Sequence, residues 1–146
     1  MIYCYGGKGT GPPMNDDQAE RSQRVALIAE DDSDIRELVT TKLRGAGYRV
    51  IAVANGTAAL SSIREHLPDV AILDVMMPGT SGLDVIGALR GDPRTAAIPV
   101  ILLSAKSQEF DVETGIASGA ADYIVKPFSP RELVDRVDAV LDRTRG

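Results

Sequence analysis

The stretch VAILD at residues 70–74 places Asp74 directly after four apolar residues, and the loop sequence VMMPG follows at 75–79. A short, continuous apolar run of this kind is typical of a strand in a parallel sheet whose two faces are both covered by helices. In open α/β sheets the carboxyl ends of the strands form the edge at which ligands bind. The sequence therefore predicts that Asp74 lies at such an edge, as a candidate nucleophile.

Four further short runs extend this pattern along the chain, and a helical pattern separates each run from the next. The predicted strands span residues 25–30, 49–54, 70–74, 100–104 and 121–125. Regular alternation of strands and helices is typical of a parallel α/β sheet. The sequence therefore predicts an α/β domain with a doubly wound five-stranded parallel sheet and five helices.

The first three predicted helices are defined by apolar periodicity and by the residues that end them. The first ends at Gly45 or Gly47, because glycine suits a left-handed cap. Its apolar stripe consists of Ile35, Leu38, Val39, Leu43 and Ala46. The second helix is predicted at about 57–66 and the third at about 83–89, each followed by a proline that marks its end.

The last two predicted helices differ in the strength of their signals. The fourth spans about 108–118, where Gly115 and Gly119 lower its helix propensity, so we expect it to be mobile. The fifth begins at Ser129-Pro130-Arg131-Glu132, which supplies an N-cap, a first-turn proline and a capping-box glutamate. We therefore expect the fifth helix to be well formed and to close the domain.

Composition narrows the class of protein. The formal net charge of −5 and the pI of about 4.8 argue against direct binding to nucleic acid or to an anionic membrane, since both favour a basic surface. The single cysteine, Cys4, cannot form an internal disulfide and fits a reducing compartment. No apolar stretch reaches the roughly 18 to 20 residues that span a bilayer, and the N-terminus lacks the apolar segment of a signal peptide. The sequence predicts a cytoplasmic protein.

The first 24 residues differ from the rest, because they are rich in glycine at first and almost wholly polar afterwards. This composition predicts a flexible leader at 1–24 and a folded domain at 25–146. The segment Gly6-Gly7-Lys8-Gly9-Thr10 has some features of a phosphate loop. However, glycine follows Lys8 where that pattern requires Ser or Thr, and no buried strand precedes it, so we do not interpret it as a nucleotide site.

Polar side chains follow several of the predicted strands, so they should converge at one edge of the sheet. Glu30 and Asp31 follow the first strand, Asp74 ends the third, Ser104 ends the fourth and Lys126 follows the fifth. Three carboxylates within a few ångströms repel one another strongly, and a cation is needed to offset this. Mg²⁺ prefers oxygen ligands and needs only one or two carboxylates, so it is the natural candidate.

Residues 25–143 resemble a response-regulator receiver domain, the phosphoacceptor part of two-component signalling. The matching motifs are Glu30-Asp31, the run LDVMMPG at 73–79, Ser104-Ala105, and Tyr123 with Lys126-Pro127-Phe128. The resemblance implies a flavodoxin-like sheet with strand order 2-1-3-4-5. It also implies a chemotaxis-regulator-like protein of the single-domain type, which is no enzyme beyond its own phosphorylation and slow autodephosphorylation.

The resemblance further implies roles for the acidic and basic residues. Asp74 would accept the phosphoryl group, while Lys126 neutralises charge on the transferring oxygens. Mg²⁺, with Mn²⁺ as a substitute, would bind Asp31, Asp74 and the main-chain carbonyl of Met76. Glu30 would act mostly through water.

The switch also follows from the resemblance. Ser104 would donate its hydroxyl to the phosphoryl group, and Tyr123 would then turn inward. The Lys126–Pro127 bond would be cis, directing the lysine at the site. Side chains at Met76 and Lys106 would tune the lifetime of the phosphoryl group.

The implied partners are proteins. A sensor histidine kinase or a phosphotransfer protein would donate the phosphoryl group and would recognise the first helix, around 36–43, with the loop after the fifth strand. A downstream protein partner or a second copy would bind the face of the fourth helix, fifth strand and fifth helix. Neither nucleic acid nor membrane is expected as a direct partner.

Other interpretations remain open at this point. The domain could belong to a larger transcription factor or hybrid histidine kinase. A phosphatase with an aspartate nucleophile needs a second acid two residues later, where Met76 stands, and is disfavoured. Among single residues, Asp32 is interpreted as a helix cap or a solvated acid. His66 is interpreted as a cation that complements a helix dipole.

Overall fold

The computed structural model describes residues 24–105 and 119–145. Strands and helices alternate in this part of the chain. The strands are β1 (Val25–Ala29), β2 (Arg49–Val53), β3 (Val70–Asp74), β4 (Val100–Ala105) and β5 (Asp122–Lys126). The helices are α1 (Ser33–Gly45), α2 (Gly56–His66), α3 (Gly82–Arg90) and α4 (Pro130–Arg145). The fourth predicted helix, 108–118, lies outside the described residues, and α4 corresponds to the fifth predicted helix.

The five strands form one parallel sheet in the order β2-β1-β3-β4-β5. The predicted fold class and strand order are therefore confirmed. The predicted strand boundaries agree to within one residue, and β5 begins and ends one residue later than expected. All five residues of β3 are buried, as expected for a central strand with helices on both faces.

Two apolar clusters cover the opposite faces of the sheet, because alternate side chains of each strand point to opposite sides. Leu27 of β1 packs with α2 and α3, and Ile28 packs with α1 and α4. The first cluster draws on Ala59, Ile63, Val85, Ile86 and Leu89 from its helices. The second draws on Val39, Leu43, Leu133, Val137, Val140 and Leu141.

Side-chain caps start the helices at the carboxyl edge of the sheet. Asp32 accepts hydrogen bonds from the amides of Asp34 and Ile35 at the start of α1, which confirms the capping interpretation. Ser129 accepts from the amide of Glu132 at 3.0 Å, as its predicted capping role requires. The first helix ends at Gly45, one of the two predicted positions.

The predicted apolar stripe of α1 is wrong at one position. Leu38 is 50% exposed, whereas Thr40 is buried in its place. Because successive helical residues are about 100° apart, the face that meets the sheet passes through Val39 and Leu43 and leaves Leu38 to one side. Within the described ranges, no helix is long and apolar enough to cross a membrane.

Candidate functional site

The parallel strands bring the predicted polar residues to one edge of the sheet. Glu30 directly follows β1, Asp74 is the last residue of β3 and Lys126 is the last residue of β5. Ser104 lies near the end of β4, where it pairs in register with the residue before Lys126. Asp31 adjoins Glu30 and is exposed to solvent. Strand direction alone therefore assembles one ammonium, one hydroxyl and three carboxyl groups.

Lys126 bridges two of the carboxylates. Its Nζ donates a hydrogen bond to Asp74 Oδ2 at 3.0 Å and lies 2.7 Å from Glu30 Oε1. Burial by itself would lower the pKa of Lys126, but the two carboxylates outweigh this effect and raise the pKa. The lysine is therefore held as a cation between the acids. The Lys126–Pro127 peptide bond is cis.

Glu30 is fully buried, and its pKa is raised well above the usual value for a glutamate. Burial raises the pKa of Glu30 to about 7, and a hydrogen bond with Asp74 adds to this effect. The Lys126 ammonium and the amide of Asp32, which donates to Oε2 at 3.1 Å, act in the opposite direction. Glu30 Oε1 lies in a short ionic contact with Lys126 Nζ at 2.7 Å. This direct pairing was not predicted from the sequence.

The three acids form a cluster that fits a hard divalent cation. One carboxylate oxygen from each of Glu30, Asp31 and Asp74 lies within 4.8 Å of the others. Oxygen ligands of this kind suit Mg²⁺, and two of the three carboxylates, those of Glu30 and Asp74, belong to buried residues. A single ammonium faces three potential negative charges, so a further positive charge would be stabilised here.

Close packing fixes the loop that follows Asp74. The amide of Met76 donates to Asp74 Oδ1 at 3.2 Å, and the amide of Gly82 donates to the carbonyl of Val75 at 3.0 Å. A Cβ atom on Gly82 would lie 2.5 Å from the carbonyl oxygen of Asp74. Only glycine therefore allows α3 to start so close to Asp74. This requirement was not predicted from the sequence, although the sequence shows a glycine at the start of the helix.

The predicted switch and lifetime residues lie around this centre. Ser104 is buried, and its hydroxyl has a weak contact of 3.4 Å with the carbonyl of the next residue. Tyr123 is half-buried and packs against the cluster beneath α2 and α3. Met76 is 58% exposed, and only its backbone amide has a contact with Asp74 described above. Lys106 lies outside the described residues.

One further residue reaches the site without having been assigned a role there. Arg36 of α1 donates a hydrogen bond from Nη1 to the main-chain carbonyl of Glu30 at 2.8 Å. The sequence offered little signal for this contact, because an arginine in the first turns of a helix is usually a surface residue. Arg36 was predicted only to lie at the edge of a surface for kinase recognition.

Comparison with protein families gives a match over most of the chain. The family described as "Response regulator receiver domain" matches residues 26–138. This range includes every residue of the site described above and all five strands except Val25, the first residue of β1.

Two groups of relatives are full-length regulators. The chain is 46% identical over 121 residues to the DNA-binding response regulator MtrA of Mycolicibacterium paratuberculosis, covering 83% of this chain and 52% of MtrA. It is 45% identical over 121 residues to the phosphate regulon transcriptional regulatory protein PhoB of Pseudomonas aeruginosa, covering 83% of this chain and 53% of PhoB. The chain thus spans about half the length of these relatives.

Solved structures of response regulators and receiver domains are also similar to this chain. A putative response regulator from Chloroflexus aurantiacus superposes with a TM-score of 0.77 at 39% identity, covering 82% of this chain and 98% of that one. The receiver domain of the sensor histidine kinase PA1611 from Pseudomonas aeruginosa superposes with a TM-score of 0.75 at 28% identity. This superposition covers 82% of this chain and 98% of the PA1611 chain. The PA1611 structure carries a magnesium ion coordinated in its active site cleft.

Proposed function

The chain belongs to the response regulator receiver domain family, and from this premise we propose that Asp74 accepts a phosphoryl group from a sensor histidine kinase or a phosphotransfer protein. The observation that carries the proposal is the contact of 3.0 Å between Asp74 Oδ2 and the ammonium of Lys126. It places a nearly buried carboxylate beside a fixed cation at the ligand-binding edge of the sheet.

The proposed reaction is an in-line displacement at phosphorus. A carboxylate oxygen of Asp74 forms a bond to phosphorus as the bond from phosphorus to the donor breaks, which leaves an aspartyl phosphate. Lys126 neutralises negative charge on the transferring oxygens, and Ser104 donates its hydroxyl to one of them. Since little covalent chemistry falls to the protein, positioning and charge carry the rate.

A divalent cation completes the proposed site. Asp31, Asp74 and the main-chain carbonyl of Met76 would hold Mg²⁺, or Mn²⁺ in its place, with Glu30 acting mostly through water. Bound there, the ion would supply positive charge to the phosphoryl oxygens. The fit rests on the cluster of carboxylate oxygens within 4.8 Å.

Phosphorylation would then change a protein-binding face. The added negative charge on Asp74 attracts the Ser104 hydroxyl, and movement of this side chain leaves space into which half-buried Tyr123 turns. We propose that the face formed by the fourth predicted helix, β5 and α4 then binds a downstream protein or a second copy. We propose that Met76, which is exposed, and Lys106, which lies outside the described residues, set how long the phosphoryl group lasts.

A second candidate concerns the context of the domain. MtrA and PhoB are DNA-binding or transcriptional regulators, and this chain spans about half of each. This observation fits the alternative in which the receiver controls an attached output domain instead of acting alone. In either context we propose a cytoplasmic location and no separate enzymatic substrate.

Intact mass spectrometry after incubation with Mg²⁺ and a small-molecule phosphodonor tests the proposal. We expect the mass to increase by one phosphoryl group, and we expect a chelator or the change Asp74→Asn to abolish the increase. Asp135→Asn, an exposed aspartate of α4, is the matched control and should be phosphorylated normally. A protein that stays unmodified under rapid quenching, or that is modified equally in Asp74→Asn, would refute Asp74 as the phosphoacceptor.

A further inference from the structure

We propose that Arg36 is a positioning residue for the divalent-cation site, an inference that rests on the function proposed above. Its Nη1 donates to the main-chain carbonyl oxygen of Glu30 at 2.8 Å. The residue is half-buried and lies near the start of α1. Arg36 therefore touches the backbone of the acidic loop and none of its carboxylates.

Asp31 is the acid whose placement depends most on this backbone. Glu30 and Asp74 are buried, and contacts to Lys126 hold both carboxylates. By contrast, Asp31 is exposed, and its carboxylate makes no hydrogen bond or ion pair with the residues at 24–105 and 119–145. Its direction is therefore set by the main chain that leads into it.

The hydrogen bond from Arg36 fixes that main chain. A peptide unit is planar, so holding the carbonyl oxygen of Glu30 also fixes the plane of the amide of Asp31. The amide of Glu30 donates to the carbonyl of Val53 at 3.1 Å, which holds the preceding unit to β2. On the other side, Asp32 is held as the cap of α1. Among the described residues, Arg36 is the side chain that holds the carbonyl of the peptide that enters Asp31, while the amide of Asp32, one residue later, donates to Glu30 Oε2.

The positive charge of Arg36 allows the proposal to be distinguished from a simple charge effect by the direction in which divalent-cation affinity changes. By charge alone, a guanidinium that contacts the backbone of the acidic loop opposes the binding of a cation there, so its removal would tighten divalent binding. If Arg36 instead acts by orienting Asp31, its removal weakens binding. The two effects have opposite directions and can be told apart in one measurement.

The test is the affinity for Mn²⁺, with the free ion counted by electron paramagnetic resonance. We expect Arg36→Met to weaken binding about tenfold, the scale typical of residues that orient metal ligands. Arg36→Lys keeps a donor and should recover part of the loss. Arg44→Met is the matched control, because Arg44 lies on the same helix and lines the same groove as Arg36 without contacting the loop. It should change the affinity by less than about twofold.

A double-mutant cycle identifies Asp31 as the intermediary. In an Asp31→Asn background, Arg36→Met should have almost no further effect on Mn²⁺ affinity, because the ligand that it orients is gone. A loss that persists in this background would mean that Arg36 acts on the fold in general, and it would overturn the proposal. If Arg36→Met does not fold, as judged by circular dichroism, the same cycle with Arg36→Lys decides.

The remaining outcomes separate the two proposals. Unchanged or tighter Mn²⁺ binding in Arg36→Met, with saturable binding in the unsubstituted protein, overturns the role of Arg36 alone. If the unsubstituted protein shows no saturable binding, the proposed cation site fails, and the positioning role fails with it. Phosphorylation of Asp74 is measured separately by mass, so these two failures are distinguishable.

Discussion

The ammonium of Lys126 lies 2.7 Å from Oε1 of Glu30, a carboxylate with no exposed surface. Ninety-six residues of sequence separate the two groups, and only the order of the parallel strands brings them together. Because of this contact, the ionisation of Glu30 affects both the free energy of unfolding and the charge around Asp74, the proposed phosphoacceptor.

We first expect a pH dependence of stability that originates at Glu30. Its pKa is raised from 4.5 to about 7 by burial, so the folded state binds more protons than the unfolded state between these values. The resulting stabilisation is complete below about pH 4.5 and is lost as the pH rises through about 7. In metal-free buffer, the stability of wild type relative to Glu30→Gln should therefore fall between about pH 5 and 8.

Urea denaturation at several pH values measures this difference. Glu37→Gln, an exposed glutamate of α1, controls for the loss of one negative charge. A difference between wild type and Glu30→Gln that stays constant across this range would contradict the role assigned to Glu30.

Removal of the lysine should destabilise the protein in a pH-dependent way. In Lys126→Met, the buried carboxylates of Glu30 and Asp74 lose their cation, and breaking a buried pair of this kind costs about 3 kcal/mol. At about pH 5 the loss should be much smaller, because protonation of Glu30 relieves the repulsion. Thermal or urea unfolding of Lys126→Met and wild type, at about pH 5 and at a pH above the Glu30 pKa of about 7, measures this loss of stability. Lys42→Met, on the exposed face of α1, should change stability by less than about 0.5 kcal/mol at either pH.

Much of the fold could be predicted because its signals are local. The apolar runs at β1, β3 and β4 and the intervening helical periods fix strand number and direction without any knowledge of long-range contacts. The convergence of Glu30, Asp74 and Lys126 then follows from parallel strands. Leu38 was predicted to face inward but is half-exposed. The inward face depends on how α1 packs on the sheet, which periodicity determines only approximately.

The details of the site depend on three-dimensional contacts that no local pattern encodes. Glu30 was predicted to act mostly through water, but strand order also brings its carboxylate into direct contact with Lys126. The reach of Arg36 to a carbonyl six residues earlier depends on how its side chain folds back over the loop. The close approach of Gly82 to Asp74 is likewise a property of the packed loop.

Arg90 should contribute more to stability than its half-exposed position suggests. Its guanidinium donates to the carbonyls of Ala96 and Ile98 at 3.0 and 2.9 Å, and to that of Gly119 at 2.8 Å. It therefore joins the end of α3 to the chain that enters β4 and to the chain that enters β5. Since hydrogen bonds from charged groups are among the stronger ones, we expect Arg90→Met to lower the free energy of unfolding by about 2–3 kcal/mol.

Chemical denaturation measures the effect of Arg90. Arg94→Met is the matched control, because Arg94 is exposed and pairs only locally with Asp92. That variant should lose less than about 1 kcal/mol, as is usual for an exposed ion pair. Equal losses in the two variants would show that the three carbonyl contacts of Arg90 add nothing to stability.

Two glycines of α3 should respond to alanine with opposite signs. At Gly82 a Cβ would meet the carbonyl oxygen of Asp74 at 2.5 Å, so the backbone must shift, and overpacking of this kind costs about 1–3 kcal/mol. At Gly87 a Cβ would meet nothing within 4 Å, and alanine should stabilise the exposed helix by about 0.5–1 kcal/mol.

The same pair of variants tests whether the loop positions Asp74. The shift forced by Gly82→Ala falls on the residue that we propose to be phosphorylated, so its rate of phosphorylation should fall even at temperatures where the variant is fully folded. Gly87→Ala should be phosphorylated at the wild-type rate. Denaturation and the rate of mass gain with a small-molecule donor measure the two effects. A Gly82→Ala variant that is less stable yet phosphorylated normally would show that the close approach supports only the fold.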